Sequence, residues 1–182
     1  GEIRCWGRNS NNQLGDRTEI PRSSPTRLGL EREFSSVSAG GLHACGIEKT
    51  SGALYCWGDN ANGQLGVVIS GGATSASVPL LVDAATSYKQ VSSGSLHTCG
   101  ITTAGTLKCW GGNSNGQLGD GSSIVRNTPV AIDAMTQYLD VSAGQNHTCG
   151  VTTSGALKCW GNNSNGELGD GTFSSCYSPV VI

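Results

Sequence analysis

Short runs of alternating polar and apolar residues, separated by turns rich in glycine and asparagine, occur along the whole chain. In residues 88–132 the alternation predicts four strands, around Gln90 to Ser92, over His97–Thr102, over Thr106–Trp110 and around Pro129. No spacing of apolar residues at the helical period accompanies them. The pattern therefore predicts an all-β protein built from groups of four short strands.

The groups of strands recur with a period of about fifty residues. Four tryptophans lie 51, 53 and 50 residues apart, and four prolines lie 54, 50 and 50 residues apart. This spacing predicts one domain over residues 1–182 with repeats at approximately 1–51, 52–104, 105–154 and 155–182, the last of them partial. A period of this length is typical of propellers and solenoids. The prolines are Pro25, Pro79, Pro129 and Pro179.

Differences in length between the repeats are confined to two segments. From tryptophan to proline the distance is 22 residues between Trp57 and Pro79, but 19 in the other copies. From His43 to Trp57 it is 14 residues, but 13 in the other copies. Because surface loops accept insertions and packed strands do not, both segments are predicted to be loops.

Six of the eight cysteines lie at matching positions of neighbouring predicted strands. The residues 103–105 form a three-residue hairpin loop, which places Cys99 directly opposite Cys109. Opposed residues on antiparallel strands have β-carbons about 4.5 to 5.5 Å apart, close to the spacing in a disulfide. We therefore predict three hairpin disulfides, Cys45–Cys56, Cys99–Cys109 and Cys149–Cys159. Because such bonds persist in oxidising surroundings, they predict an oxidising compartment.

The other two cysteines, Cys5 and Cys176, have no partner at the equivalent repeat position. They are predicted to be unpaired, joined to each other, or bonded to another chain. For the paired cysteines a zinc site is the alternative, since His97, Cys99 and Cys109 converge. The disulfides are favoured because the sequence offers no obvious fourth ligand and no closely spaced second cysteine.

Three histidines and four tryptophans each occupy a fixed position of the repeat. The histidines follow a glycine turn and are predicted to be buried, hydrogen-bonded residues rather than catalytic bases. Tryptophan buries a large apolar area, and one in each repeat fits a wedge between neighbouring sheets. These residues are His43, His97 and His147, with Trp6, Trp57, Trp110 and Trp160.

Charge and motif content argue against several classes of function. The formal net charge is −2 and the 11 lysines and arginines form no run, so a nucleic-acid partner is not expected. No apolar segment approaches the roughly 20 residues that span a bilayer, so membrane insertion is not expected. Motifs of hydrolases, metalloproteases and phosphate-binding loops are absent, and neither catalysis nor a cofactor is predicted. Asn146 and Asn162 stand in N-glycosylation sequons.

Four related phrases, WGRNSNNQLGD, WGDNANGQLG, WGGNSNGQLGDG and WGNNSNGELGDG, resemble the repeat of the regulator of chromosome condensation family. The resemblance covers essentially the whole chain and implies a β-propeller, usually of seven four-stranded antiparallel blades. Seven blades would need about 350 residues at this period, so the three full repeats and the partial one are expected to be a fragment of a larger ring. A ring closed by other copies or subunits and a truncated arc are the alternatives. The cysteine-containing repeat resembles secreted variants of the family, which implies an extracellular protein.

The expected function is that of a noncatalytic extracellular module for protein–protein interaction or structural assembly. Its partner would be another protein or copies of the chain itself, contacted through the variable segments VVISGGATSASV, IVRN and FSSCY. The resemblance also leaves open a secreted propeller that inhibits an enzyme. Guanine-nucleotide exchange, the founding activity of the family, is less favoured because the chain has paired cysteines and no basic tail.

Overall fold

The computed structural model describes residues 1–182, in which fourteen strands form four antiparallel sheets. The first sheet has two strands, β1 (Arg4–Gly7) and β2 (Arg22–Arg27). Blade I follows, with β3 (Phe34–Ala39), β4 (His43–Glu48), β5 (Leu54–Asp59) and β6 (Ser75–Val82). Blade II has β7 (Tyr88–Ser93), β8 (His97–Thr102), β9 (Leu107–Gly111) and β10 (Arg126–Ala131). Blade III has β11 (Tyr138–Ala143), β12 (His147–Thr152), β13 (Leu157–Gly161) and β14 (Cys176–Val181).

Within each blade the four strands lie side by side in chain order. The first strand of blades II and III packs against the first two strands of the preceding blade. This arrangement confirms the prediction of an all-β protein with propeller blades of four antiparallel strands. The tryptophans of the three blades lie in their third strands, and Trp6 lies in β1, which occupies the equivalent place in the two-stranded sheet. The period of the sequence therefore starts midway through one sheet and ends midway through the next.

The register of the central hairpin follows from its short loop. Cys99 pairs with Cys109, and His97 pairs with Gly111 at the open end of the same hairpin. The loop is turned by Gly105, whose φ of 86° lies in the left-handed region that favours glycine. In blade I the loop is one residue longer, and Cys45 still pairs with Cys56.

The glycine after each tryptophan marks an irregularity in the sheet. In blade II, Gly111 has a φ of 103°, and the pairing of β9 with β10 shifts register in this part of the strand. A β-carbon on Gly111 would lie 2.7 Å from the carbonyl oxygen of Leu96. Both the backbone angle and the close approach therefore require glycine at this position.

The apolar core lies between sheets rather than inside any one of them. The largest cluster joins Leu54, Leu65 and Val82 of blade I with Tyr88 and Trp110 of blade II. A second cluster joins blades II and III in the same way. A single thin sheet has no interior, so each blade buries its apolar residues only by stacking on a neighbour.

The insertion of the second repeat forms the loop between β5 and β6 and contains a short 3₁₀ turn, Ser70–Gly72. Side chains of this turn are not buried, which agrees with the prediction of a surface loop. The structure contains no helix that is long and apolar enough to cross a lipid bilayer.

Candidate interaction face

Three disulfides join the second and third strands of the three blades, and the Cα atoms of each pair are 4.1 Å apart. Because Cys99 is bonded to Cys109, neither sulfur is free to bind a metal as a thiolate. No group of three or more His, Cys, Asp or Glu residues is arranged to hold a metal ion. The zinc site considered as the alternative for His97, Cys99 and Cys109 is therefore not formed. The bonded pairs are Cys45–Cys56, Cys99–Cys109 and Cys149–Cys159.

The remaining cysteines are free thiols and both are half-buried. Cys5 lies in β1, at the position of the bonded cysteines of the other third strands. Burial raises the pKa of the Cys5 thiol, and the charge of Asp16 adds to that effect. Cys176 begins β14 and pairs with Gly161. The two therefore lie in different sheets and are not bonded to each other.

The tryptophans of the three blades are fully buried, and each indole N–H donates to a backbone carbonyl of the preceding sheet's long loop. The Trp110 Nε1 donates to the Gln64 oxygen at 3.0 Å, and the Trp160 Nε1 donates to the Gln117 oxygen at the same distance. Trp57 makes the equivalent bond to Gln13. Trp6, in the first sheet, is 61% exposed. Three of the four tryptophans therefore lie between sheets.

Two histidines also bridge neighbouring blades. The His43 Nε2 and Thr98 Oγ1 atoms are 2.8 Å apart, and the Thr98 hydroxyl donates to the Gln64 carbonyl at 2.8 Å. Because a hydroxyl has only one proton, it must accept from His43, whose Nε2 therefore carries hydrogen. His97 and Thr148 repeat the arrangement between blades II and III.

The bridging imidazoles are buried in their neutral form. Burial lowers the pKa of His43 to about 4 and that of His97 to about 3, with the neighbouring histidines adding to the shift of His97. The Nδ1 atoms of both rings are buried without a hydrogen-bond partner. His147 occupies the same repeat position in blade III and is half-buried. At neutral pH the uncharged rings of His43 and His97 therefore bridge neighbouring blades.

The sequon asparagines lie close together at one end of blade III. Asn146 is half-buried, and its carbonyl accepts the backbone N–H of Asn162 at 2.8 Å. The side-chain amide of Asn162 donates to Ser164 and Glu167. Attachment of a glycan at either residue stays a prediction.

Because neighbouring strands run in opposite directions, the long loops that join each third strand to its fourth strand all lie at the same end of the molecule. We call this end the loop face and define it by residues 8–21, 60–74, 112–125 and 162–175. Every one of these loops exposes a large apolar side chain, and the exposed fraction of that side chain reaches 77% at Val68 and 75% at Phe173. The other two positions are Ile20 and Ile124. The loop face therefore exposes at least one large apolar side chain from each sheet.

An asparagine side chain bonds across each of these loops; it is fully buried in the first sheet and in blades II and III, and half-buried in blade I, where it is Asn60. In blade II the Asn113 side chain accepts the Leu118 N–H at 3.0 Å and donates to the carbonyls of Ser122 and Ile124. The asparagine side chain is fully buried and bonds the carbonyl of Ile124, so the backbone that carries the exposed Ile124 side chain is held in place. From the sequence these asparagines were assigned only to turns, and their hydrogen bonds across the loop were not predicted. Their recurrence three residues after each tryptophan was the available signal.

The repeat model of the regulator of chromosome condensation (RCC1) matches residues 1–47, 51–101 and 105–151. The chain belongs to the RCC1 repeat family. A second RCC1 repeat model matches residues 34–64, 88–117 and 139–167. The resemblance stated from the four phrases is thereby confirmed.

Two relatives of this RCC1-repeat chain are much longer than the part that matches. The "Ultraviolet-B receptor UVR8" of Arabidopsis thaliana is 36% identical over 128 residues, covering 68% of this chain and 28% of UVR8. The "Probable E3 ubiquitin-protein ligase HERC3" of Homo sapiens is 38% identical over 126 residues, covering 67% of this chain and 12% of HERC3. The chain thus spans little more than a quarter of UVR8 and about an eighth of HERC3.

The fold is also that of a solved RCC1 protein. Yeast RCC1 (Prp20), in a crystal structure with Kap60, superposes with a TM-score of 0.87 at 21% identity. All of this chain is covered, and 44% of the Prp20 chain. The likeness shows that the three blades and the two-stranded sheet are arranged as in part of an RCC1 propeller.

Proposed function

We propose that this RCC1-repeat chain is a noncatalytic, extracellular module that binds proteins or copies of itself through the loop face. The observation that carries the proposal is the set of exposed apolar side chains on the four loops, three of which are held by a fully buried asparagine. Apolar side chains held in place lose little conformational entropy on binding, which favours association. The variable segments of the repeats lie on this same face.

A protein partner is supported by the family. The solved yeast relative is bound to Kap60, so at least one protein that contains this propeller has a protein partner. The loop face also has the make-up of an interface centre, with apolar residues surrounded by polar loops. Of the exposed side chains at these four positions only Phe173 is aromatic. This composition favours a general binding role over enzyme inhibition, which would use several aromatic anchors.

An extracellular location is supported by the three disulfides. Such bonds form and persist in oxidising compartments and are rare in the cytosol. Alkylation of the protein taken directly from its native host tests this part of the proposal. Six protected cysteines are expected, and six reactive thiols would contradict an extracellular role.

Site-specific photo-crosslinking tests the binding role. A photoreactive amino acid replaces Val68 or Phe173 on the loop face, and Met135, which is 99% exposed at the opposite end, provides the matched control position. In the native host we expect protein adducts from the two loop-face positions and few from Met135. Sedimentation of the purified chain then distinguishes a second copy from a different protein. Adducts that are absent, or equally abundant from Met135, would overturn the assignment of the face.

A further inference from the structure

Two of the sheets contain the same ion pair on the loop face. In the first sheet the Asp16 carboxylate accepts from the Arg22 guanidinium at 2.7 Å. In blade II the Asp120 carboxylate accepts from the Arg126 guanidinium at 2.7 Å. In both cases the acid follows the Leu-Gly of the repeat and the arginine begins the last strand of its sheet. In these two sheets the aspartate of the repeat therefore forms a binding position for a guanidinium group.

The other two blades change this pair in different ways. In blade I both members are replaced by apolar residues, Val67 and Ala76, which pack into the core between blades I and II. In blade III the acid is kept as Asp170, but Cys176 stands where the arginine would be. Blade III therefore keeps only the anionic half of the pair.

The carboxylate of Asp170 is held as it is in the complete pairs. Its Oδ1 accepts from the Asn163 amide at 3.1 Å, the Thr172 N–H at 2.9 Å and the Thr172 hydroxyl at 2.8 Å. The Oδ1 of Asp120 has the same three kinds of donor in blade II. There the second oxygen, Oδ2, receives the arginine. In blade III the Oδ2 of Asp170 has no partner.

The surroundings of Asp170 favour a cation supplied from outside the blade. Residues 161–182 contain no lysine or arginine. Hydrogen bonds from the Thr172 backbone and hydroxyl hold the pKa of Asp170 below its usual range, so the carboxylate is charged at neutral pH. Two exposed aromatic residues are near these positions in the sequence: Phe173 lies between Asp170 and Cys176, and Tyr177 follows Cys176. Aromatic rings add to the binding of a guanidinium group.

We propose that Asp170 on the loop face of blade III binds an arginine side chain of a protein partner, in the position that Arg126 occupies in blade II. The inference rests on the proposed function, because it takes the loop face to be the binding surface, and it adds the chemistry of one contact. The internal copies show that this carboxylate, held by these donors, accepts a guanidinium. An arginine is favoured over a lysine because both internal copies place a guanidinium Nε at 2.7 Å from the second carboxylate oxygen, Oδ2.

Titration of the isotope-labelled chain with the tripeptide acetyl-Tyr-Arg-Tyr-amide, followed by NMR, tests the proposal. We expect saturable shifts of the backbone amides of Thr172 and Ser174. The same tripeptide with citrulline, which is neutral and similar in shape, should bind at least about fivefold more weakly. A tripeptide with lysine should lie between the two.

Three variants separate the carboxylate contact from other effects. Asp170→Asn should abolish the shifts, and Cys176→Arg should abolish them by restoring the internal ion pair without removing the carboxylate. Cys176→Ser is the matched control and should leave binding unchanged. Equal binding of the citrulline peptide, or binding that survives Cys176→Arg, would overturn the proposal. If the peptide fails while crosslinking from Val68 persists, the arginine contact alone is wrong and the binding face stands.

Discussion

The hydrogen bonds that His43 and His97 make to the neighbouring blade depend on the protonation state of each imidazole ring. The His97 ring reaches from blade II to the Thr148 hydroxyl of blade III, and this hydroxyl donates in turn to the carbonyl of Gln117. The same carbonyl also accepts the Trp160 indole N–H, so one backbone oxygen collects two donors from the next blade. Blade I lacks the hydroxyl, because Ala44 occupies that position. The buried ring can take part only while it is neutral.

Lowering the pH should therefore destabilise the fold before its carboxylates titrate. The pKa of histidine in an unfolded chain is near 6.5, whereas in the fold it is about 4 for His43 and about 3 for His97. Above pH 6.5 neither state binds protons, so stability is complete. Below it the unfolded chain binds them more strongly, and by pH 4.5 about 2.5 kcal/mol per histidine should be lost.

Urea unfolding between pH 7.5 and 4.5 measures this loss of stability. The double variant His43→Gln, His97→Gln should be less stable at neutral pH and should show a much smaller dependence on pH. An unchanged dependence in the double variant would show that other groups cause it.

One glycine in the repeated phrase lies directly against a tryptophan. Gly66 has a φ of 72°, and a β-carbon there would lie 2.7 Å from the Trp110 Nε1. Gly66→Ala should cost about 3 kcal/mol, since it combines a left-handed alanine with overpacking. Gly71→Ala is the matched control, because its φ of 80° is similar and its β-carbon would meet nothing within 4 Å. Gly71→Ala should cost only about 1 kcal/mol in urea unfolding, and equal costs would contradict the clash.

The hairpin of the second and third strands is the element that the sequence defines most completely. Strand alternation and a three-residue loop were sufficient to predict that Cys99 lies opposite Cys109, as the register has it. Both signals are local, because they depend on neighbours in the chain and on the geometry of a short turn. The loop between the third and fourth strands was less predictable. Its shape depends on a buried asparagine that bonds groups up to eleven residues away.

Removal of one hairpin disulfide should have a moderate cost. The double variant Cys99→Ser, Cys109→Ser opens a short ring, and the loop-closure model gives a loss of about 2 to 3 kcal/mol. Urea unfolding without reductant measures it. Cys5→Ser with Cys176→Ser removes two free thiols and should change stability by less than about 0.5 kcal/mol. A similar loss in both double variants would exclude the cross-link as the cause.

Across the whole molecule, stability depends on contacts between adjacent sheets. Each apolar cluster combines residues from neighbouring sheets, so no blade is complete without the next. The stability of such arrays is a sum of repeat and nearest-neighbour contributions. A substitution in one blade should therefore be felt most strongly by the blade on which it packs.

Trp110 is the residue that tests this coupling. It belongs to blade II but lies in the cluster with Leu54, Leu65 and Val82 of blade I. Trp110→Ala should cost about 3 to 5 kcal/mol. Hydrogen exchange should show lost protection in β5 and β6 as well as in β9, and less change in β13. Trp6→Ala, at a position that is 61% exposed, serves as the control, and loss confined to blade II would contradict the coupling.

The sequence by itself determined the strands, their period, the facing cysteines and the repeat family, because these follow from alternation, turn length and motifs within about fifty residues. Only the tertiary structure decided which groups meet between sheets, such as His97 with Thr148 and Trp160 with Gln117. It also left Ile20, Val68, Ile124 and Phe173 exposed, each on one of the loops of the loop face. These contacts join residues from different repeats, and their distances depend on how the sheets stack, which no local pattern encodes.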